Sequence, residues 1–194
     1  SIASADVSMK KCLSKKTSLQ IGAKYTTTDM NDHSAYEGLS DSRWNNLPSY
    51  AYLLNYKEHI WAGYSSFSTK IGNMSISAGL RYEHTRTSDK TNHFVKNYGN
   101  FYPHLSANYA FDEMHKWMLI YQFSRNIQRP AFDALNPNRL QSSEYLYHIG
   151  NPLLKPTYLN RSNLTLVYDY RYTLTVGGDL HHNLIRQACK QDPT

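Results

Sequence analysis

The sequence predicts an all-β fold, an antiparallel up-and-down meander of about eight strands. Three observations predict it. Apolar and polar side chains alternate with period 2 along most of the 194 residues, whereas helical periodicity is nearly absent. The connections between alternating runs are short and long by turns. Tyr is heavily used, with 17 Tyr against 6 Phe and 3 Trp. A ring with a wet tip suits a surface between water and something apolar, although soluble β-proteins and sugar-binding modules use it too.

In chain order, a short first strand is expected at 3–10 and a turn at 13–16. Leu19, Ile21, Ala23 and Tyr25 then alternate with Gln20, Gly22, Lys24 and Thr26. The run 56–67 is less tidy: Ile60, Ala62 and Tyr64 share a face, and Trp61 points the other way. A turn at 70–73 contains Gly72-Asn73. The clearest strand follows, with Met74, Ile76, Ala78, Leu80 and Tyr82 on one face and Ser75, Ser77, Gly79, Arg81 and Glu83 on the other. Leu105, Ala107 and Tyr109 form the next apolar face, and a turn is expected at 112–115. The aromatic run 117–125 leads into a long Pro-punctuated connection. Beyond it, Leu164, Leu166 and Tyr168 alternate with Asn163, Thr165 and Asp169, with Val167 breaking the polar side. After a turn at 169–171, Tyr172, Leu174 and Val176 complete the series.

Between the short turns lie long polar connections at 29–49, 87–100 and 127–157. Short turns at one end and long loops at the other are the pattern of a transmembrane β-barrel, with short periplasmic turns and long outer loops. Strands of roughly 9–12 residues fit a tilted crossing of the hydrocarbon layer. The inward candidates Gln20, Lys24, Arg81, Glu83, Asn108 and Asp169 are more charged than a soluble core tolerates unpaired. No run approaches the ~18 apolar residues of a membrane helix, and the mean hydropathy of −0.64 does not exclude a barrel, whose alternating strands average it away.

The net charge of +6 is scattered; its one cluster, Lys10, Lys11, Lys15 and Lys16, brackets a turn. That distribution argues against a nucleic-acid partner. Cys12 and Cys189 lie near opposite ends without metal-ligand spacing, and their pairing is left open. No phosphate-binding loop, dinucleotide fingerprint, nucleophile elbow or zinc-protease motif occurs. His181 and His182 are adjacent on a strand and point to opposite faces, so no metal, cofactor or enzymatic activity is expected. Ligand-binding candidates sit in the long loops. Trp44, Tyr145 and Tyr147 can stack on a sugar or other ligand, and Arg129 can hold an anionic group or pair with Asp133 or Glu144. Trp117, Tyr121, Phe123, Tyr168 and Tyr170 fit an interfacial aromatic belt.

Three motifs in order carry a family resemblance: Arg129-Pro130, then Leu135-Asn136-Pro137, then Gly150-Asn151-Pro152-Leu153-Leu154-Lys155-Pro156. This progression resembles the barrels of TonB-dependent outer-membrane receptors of the Bacteroidetes type, and more narrowly their outer-membrane β-barrel protein family. Gly79-Leu80-Arg81-Tyr82-Glu83 and the strand 19–25 match further recurring segments. Thr157 stands where the family often has Glu.

The resemblance implies a barrel segment serving energised uptake of a nutrient ligand: a glycan, peptide or metal chelate. It implies outer-membrane lipid, a TonB energy-coupling system and a surface lipoprotein as partners. Such receptors also carry a plug domain, and barrels of that class need about 22 strands. Residues 1–194 are therefore expected to be a fragment of one such barrel domain, with its natural N-terminus upstream of Ser1-Ile2-Ala3-Ser4. A soluble all-β carbohydrate-binding module and a small closed eight-stranded barrel are the alternatives.

Overall fold

A computed structural model describes residues 1–40, 42–46, 52–90, 94–138, 140–143 and 146–191. Eight long strands form one antiparallel sheet: β1 (Ile2–Ser14), β2 (Thr17–Ser34), β5 (Tyr52–Ile71), β6 (Met74–Asp89), β7 (Phe94–Ala110), β8 (Trp117–Gln128), β11 (Thr157–Tyr168) and β12 (Tyr172–His182). Each pairs with the next, as an up-and-down meander requires. The hairpins β3 (Glu37–Ser40) with β4 (Arg43–Asn46) and β9 (Leu140–Ser143) with β10 (Leu146–His148) lie in the first and last long connections. A one-turn helix, α1 (Phe132–Leu135), precedes the second hairpin.

At one end of the sheet the connections are short: 15–16, 72–73, 111–116 and 169–171. Gly72 takes φ +57°, a conformation that costs glycine little. Asp112 braces its turn by accepting the Lys116 N–H at 2.7 Å. At the other end the connections are 35–51, 90–93 and 129–156.

The middle loop is thus far shorter than the sequence suggests. Strands β6 and β7 run through most of 87–100, and their ladder holds from Tyr82–Phe101 up to Asp89–Phe94. The same effect lengthens the others: β2 spans 18 residues and β5 spans 20, well beyond a bilayer crossing. Strand segments that leave the apolar layer become polar on both faces, so their sequence resembles loop.

The ladder registers sort the side chains cleanly. One face carries Lys10, Gln20, Lys24, Ser66, Ser68, Ser77, Arg81, Glu83, Ser106, Asn108 and Gln122. The other carries Val7, Ile21, Ala23, Trp61, Phe67, Ile76, Leu80, Leu105, Leu119, Leu164 and Leu174. Five of the six expected inward residues share the polar face; Asp169 lies instead in the turn after β11, with φ +50°. In β5 it is Trp61 that belongs to the apolar face, while Ile60, Ala62 and Tyr64 face the polar side.

Aromatic rings cluster at both ends of the apolar face. Trp117 and Tyr168 meet at 4.4 Å, and Tyr109 and Phe111 at 5.0 Å, beside the short turns. Tyr82 and Phe101 meet at 4.9 Å, and Tyr25 and Trp61 at 5.6 Å, toward the long loops. Phe101 to Tyr109 is about 27 Å along β7 at ~3.4 Å per residue. At a barrel tilt this is about 20 Å of height, close to the ~25 Å apolar band of such walls.

Two departures from a uniform sheet position the site. First, every residue of β1 and β12 is exposed, and each strand has one neighbour, so the sheet is open at both edges. Second, β7 and β8 pair only from Ala110–Met118 to His104–Ser124. The Ala110 N–H donates to Asn73 on the β6 side, and the Phe111 N–H donates to Trp117 on the β8 side. Odd residues of β7 therefore aim their N–H groups at β8, and the next odd residue beyond the last pair is Pro103, which has none. Above that point β8 is free to leave the ladder and carry the following loop inward.

Candidate functional site

The two limbs of the long connection, 129–138 and 150–156, do not project away from the sheet. They fold back over the polar face of β5, β6 and β7. Arg129 leads the way: its Nη2 donates to Glu83 Oε2 at 2.6 Å and to Thr85 Oγ1 at 3.2 Å, both on β6. The expected partners differ: Asp133 is engaged with the Ala134 N–H at 2.8 Å, and Glu144 lies outside the described residues. Burial opposes the Arg129 charge, but the hydrogen bond to Glu83, together with the nearby Tyr98 and Glu58, more than offsets it and holds the guanidinium above its ordinary pKa. Arg81 also approaches Glu83, with Nε 2.6 Å from Oε1, although its N–H is not aimed well enough to bond.

Each motif of the loop has a physical task. Leu135 joins Leu54 and Tyr56 in a small buried cluster, against which Met30, Phe94, Phe132 and Leu154 pack. Phe132 meets the Tyr56 ring edge-on at 4.5 Å. Asn136 is 1% exposed, and its side chain accepts two bonds from Asn138, at 3.0 and 2.8 Å. The Gly150 N–H donates to Asn136 O at 2.8 Å, and the Asn151 N–H to Ala134 O at 2.7 Å. These two donors satisfy carbonyls that a one-turn helix leaves open. A Cβ at Gly150 would lie 2.6 Å from the carbonyl oxygens of Asp133, Ala134 and Asn136, so only glycine fits. Finally, Lys96 on β7 donates to Leu154 O at 2.9 Å, fastening the return limb.

Between loop and wall lies a cavity of about 430 Å³. Tyr56, Glu58, Thr87, Lys96, Tyr98, Arg129, Lys155 and Tyr158 supply its polar groups, and Pro130, Leu135, Leu153 and Leu154 its apolar ones. The Tyr56 hydroxyl, the Glu58 carboxylate and the Thr87 hydroxyl meet at 3.4 Å. Arg125 lies over the Tyr158 ring at 5.1 Å, and Asn100 donates to the Tyr158 hydroxyl at 2.6 Å. By register Tyr158 belongs to the apolar face, so this bond records how far β8 and β11 turn inward above Pro103. The lining carries three cations, Lys96, Arg129 and Lys155, against one carboxylate, Glu58.

A model of an outer membrane protein beta-barrel family matches residues 1–194. The chain belongs to that family. No curated protein matches it. As a member of the family it resides in the bacterial outer membrane, with its apolar face toward lipid and its polar face toward the barrel interior. The long connections mark the outward end, so the cavity opens in the outer mouth. No helix among the described residues is long and apolar enough to cross a membrane, and the family crosses with strands.

Of the three sequence candidates among the described residues, Arg129 alone lines this cavity. Trp44 stands on β4 in the first long connection, 69% exposed. Tyr147 is half-buried on β10, and Tyr145 lies outside the described residues. Among the belt candidates, Trp117 and Tyr168 meet as a tilted pair beside the short turns, while Tyr121 and Phe123 sit higher on the apolar face. Cys12 and Cys189 are free and exposed. Glu58, Tyr98 and Lys96 went unrecognised in the sequence. Beyond Glu83, β6 is polar on both faces, with Thr85, Thr87 and Asp89 on one and His84, Arg86 and Ser88 on the other, so no alternation marks the strand that meets them.

Proposed function

We propose that this chain is a wall segment of a TonB-dependent outer-membrane receptor of the Bacteroidetes type. It serves energised uptake of a nutrient ligand, and it catalyses no reaction. The observation that carries the reading is that limbs 129–138 and 150–156 of the last long connection are held inside the mouth by Arg129 on Glu83 rather than left at the surface. An inward loop narrows the passage and presents side chains to whatever enters, which suits a selective receptor better than an open pore. The open edges of β1 and β12 fit a wider barrel in which further strands continue the sheet. With Arg129 neutralised by Glu83, the lining keeps Lys96 and Lys155 against Glu58, and this net positive charge favours an acidic glycan, acidic peptide or anionic metal chelate over a neutral ligand. Trp44 and Tyr147 serve as outer-loop contacts for such a ligand. The partners are the surrounding lipid, the energy-coupling protein of the inner membrane and a surface lipoprotein.

The test is uptake in cells offered labelled acidic and neutral oligosaccharides, peptides and chelates. Strains lacking either the intact receptor gene or the energy-coupling protein should both fail to accumulate an acidic ligand. Uptake that survives loss of the coupling protein would make the barrel a passive pore and overturn the reading.

A further inference from the structure

The apolar face carries a feature that a plain lipid-facing wall does not need. Across β1, β2, β5 and β6 one register row reads Val7, Ala23, Gly63 and Tyr82. Its two middle members, Ala23 and Gly63, are small, and nothing lies within 4 Å of where a Gly63 Cβ would stand. The row one step nearer the long loops reads Ala5, Tyr25, Trp61 and His84. There Tyr25 and Trp61 lie 5.6 Å apart, and Trp61 and His84 5.9 Å. Together the rows border an open hollow of about 470 Å³ on the face, floored by Ala23 and Gly63 and flanked by Tyr25, Trp61, Tyr82 and His84.

The next row outward changes character. It reads Thr27, His59 and Arg86, followed by Asp29, Lys57 and Ser88. Arg86 is exposed. His59 is oriented by a 2.8 Å bond between its Nδ1 and the Tyr25 hydroxyl, which turns its Nε2 away from that partner. Lys57 shares its charge with Asp29 at 2.6 Å, so among the described residues Arg86 is the cation of the group without an ion pair. Successive rows stand about 7 Å apart along the strands. From floor to cations, the vertical order is small apolar hollow, aromatic row, then basic row.

We propose that this face is a binding site for one phosphorylated glycolipid of the outer leaflet. One acyl chain lies in the Ala23–Gly63 hollow beneath Trp61, and a headgroup phosphate is held by Arg86 with His59 beside it. The spacing suits a lipid, whose charge sits a fixed distance above its chains, and the basic row lies at the outward end of the wall. Guanidinium is well shaped for a phosphate, and the aromatic row matches the depth at which chain meets headgroup. The proposal rests on membership of the outer-membrane family and not on the receptor reading; it stands even if the barrel transports nothing.

The test is native mass spectrometry of the intact detergent-solubilised protein with diphosphorylated lipid A, its dephosphorylated counterpart, phosphatidylethanolamine and inorganic phosphate. Diphosphorylated lipid A should stay bound at one equivalent, and the other three should not compete. Arg86→Gln should weaken it about tenfold or more, the factor expected when a charge-assisted hydrogen bond is lost. Gly63→Leu, which fills the hollow, should weaken it comparably, and Lys10→Gln on the opposite face should leave it unchanged. Folding of each variant is confirmed by heat-modifiable migration in gels. Folded Arg86→Gln and Gly63→Leu proteins that bind like the unaltered protein would overturn the proposal. Equal retention of the dephosphorylated lipid would do the same.

Discussion

Arg129 and Glu83 are 46 residues apart in sequence and 2.6 Å apart in space. The pair joins the start of the last long loop to the interior face of β6. Glu83 is 9% exposed at its side chain and Arg129 24%, so the contact is largely shielded from water. It also explains why the motifs beyond it are ordered. Once Arg129 is fixed, α1 falls against Tyr56, and the Gly150-Asn151 limb closes over the carbonyls of α1.

Removing the apolar anchor should loosen the loop without harming the wall. Leu135→Ala deletes a 5%-exposed side chain from a small cluster, a change that costs about 2–3 kcal/mol at the lower end of the usual range. Limited proteolysis of the detergent-solubilised protein should then cut within 129–156, while the folded barrel keeps its heat-modifiable migration. Unchanged resistance would show that Leu135 does not hold the loop.

Two glycines should behave in opposite ways. Gly150→Ala forces a methyl group against three backbone carbonyls and should destabilise the loop by about 1–3 kcal/mol. Gly63→Ala meets open space and should be nearly silent. Thermal unfolding followed by a fluorophore on the loop separates the two, and equal effects would count against the packing described for Gly150.

Pro103 should govern how far β8 stays in the sheet. Pro103→Thr restores an N–H aimed at β8, so the β7–β8 ladder should lengthen past His104–Ser124. Amide exchange at residues 125–128 should slow, and residues 129–135 should exchange faster as Arg129 is drawn from Glu83. No change at 125–128 would mean that something other than the missing donor ends the pairing.

Much of the wall was legible in the sequence, because a membrane strand writes its two faces as alternation. Met74 to Glu83 reads directly as lipid face and interior face, and the register confirms it. The upper strands were not legible. Thr85, Thr87 and Asp89 alternate with His84, Arg86 and Ser88, and a strand polar on both faces resembles loop. The expected loop at 87–100 accordingly proved to be mostly ladder. The site was only half legible. Arg129 stood out with its Pro, yet Glu83 is chosen by where β8 leaves the sheet, and that depends on a proline in another strand. Glu58, Lys96 and Tyr98 carry no local signal, since strand pairing alone brings them together.

The central claim is that the limbs 129–138 and 150–156 lie within the mouth, fastened to the wall by Arg129 on Glu83. A double-mutant cycle on the intact protein tests it most directly, reading the opening free energy of the loop by amide exchange for Glu83→Gln, Arg129→Gln and the pair. Each single change should lower protection by about 2–3 kcal/mol, short of the ~3–5 of a fully buried pair because Arg129 keeps some water. The double change should cost little more than either alone, giving a coupling of about 1–3 kcal/mol. Additive effects, within about 0.5 kcal/mol, would show that the two side chains do not meet and that the loop does not fold inward.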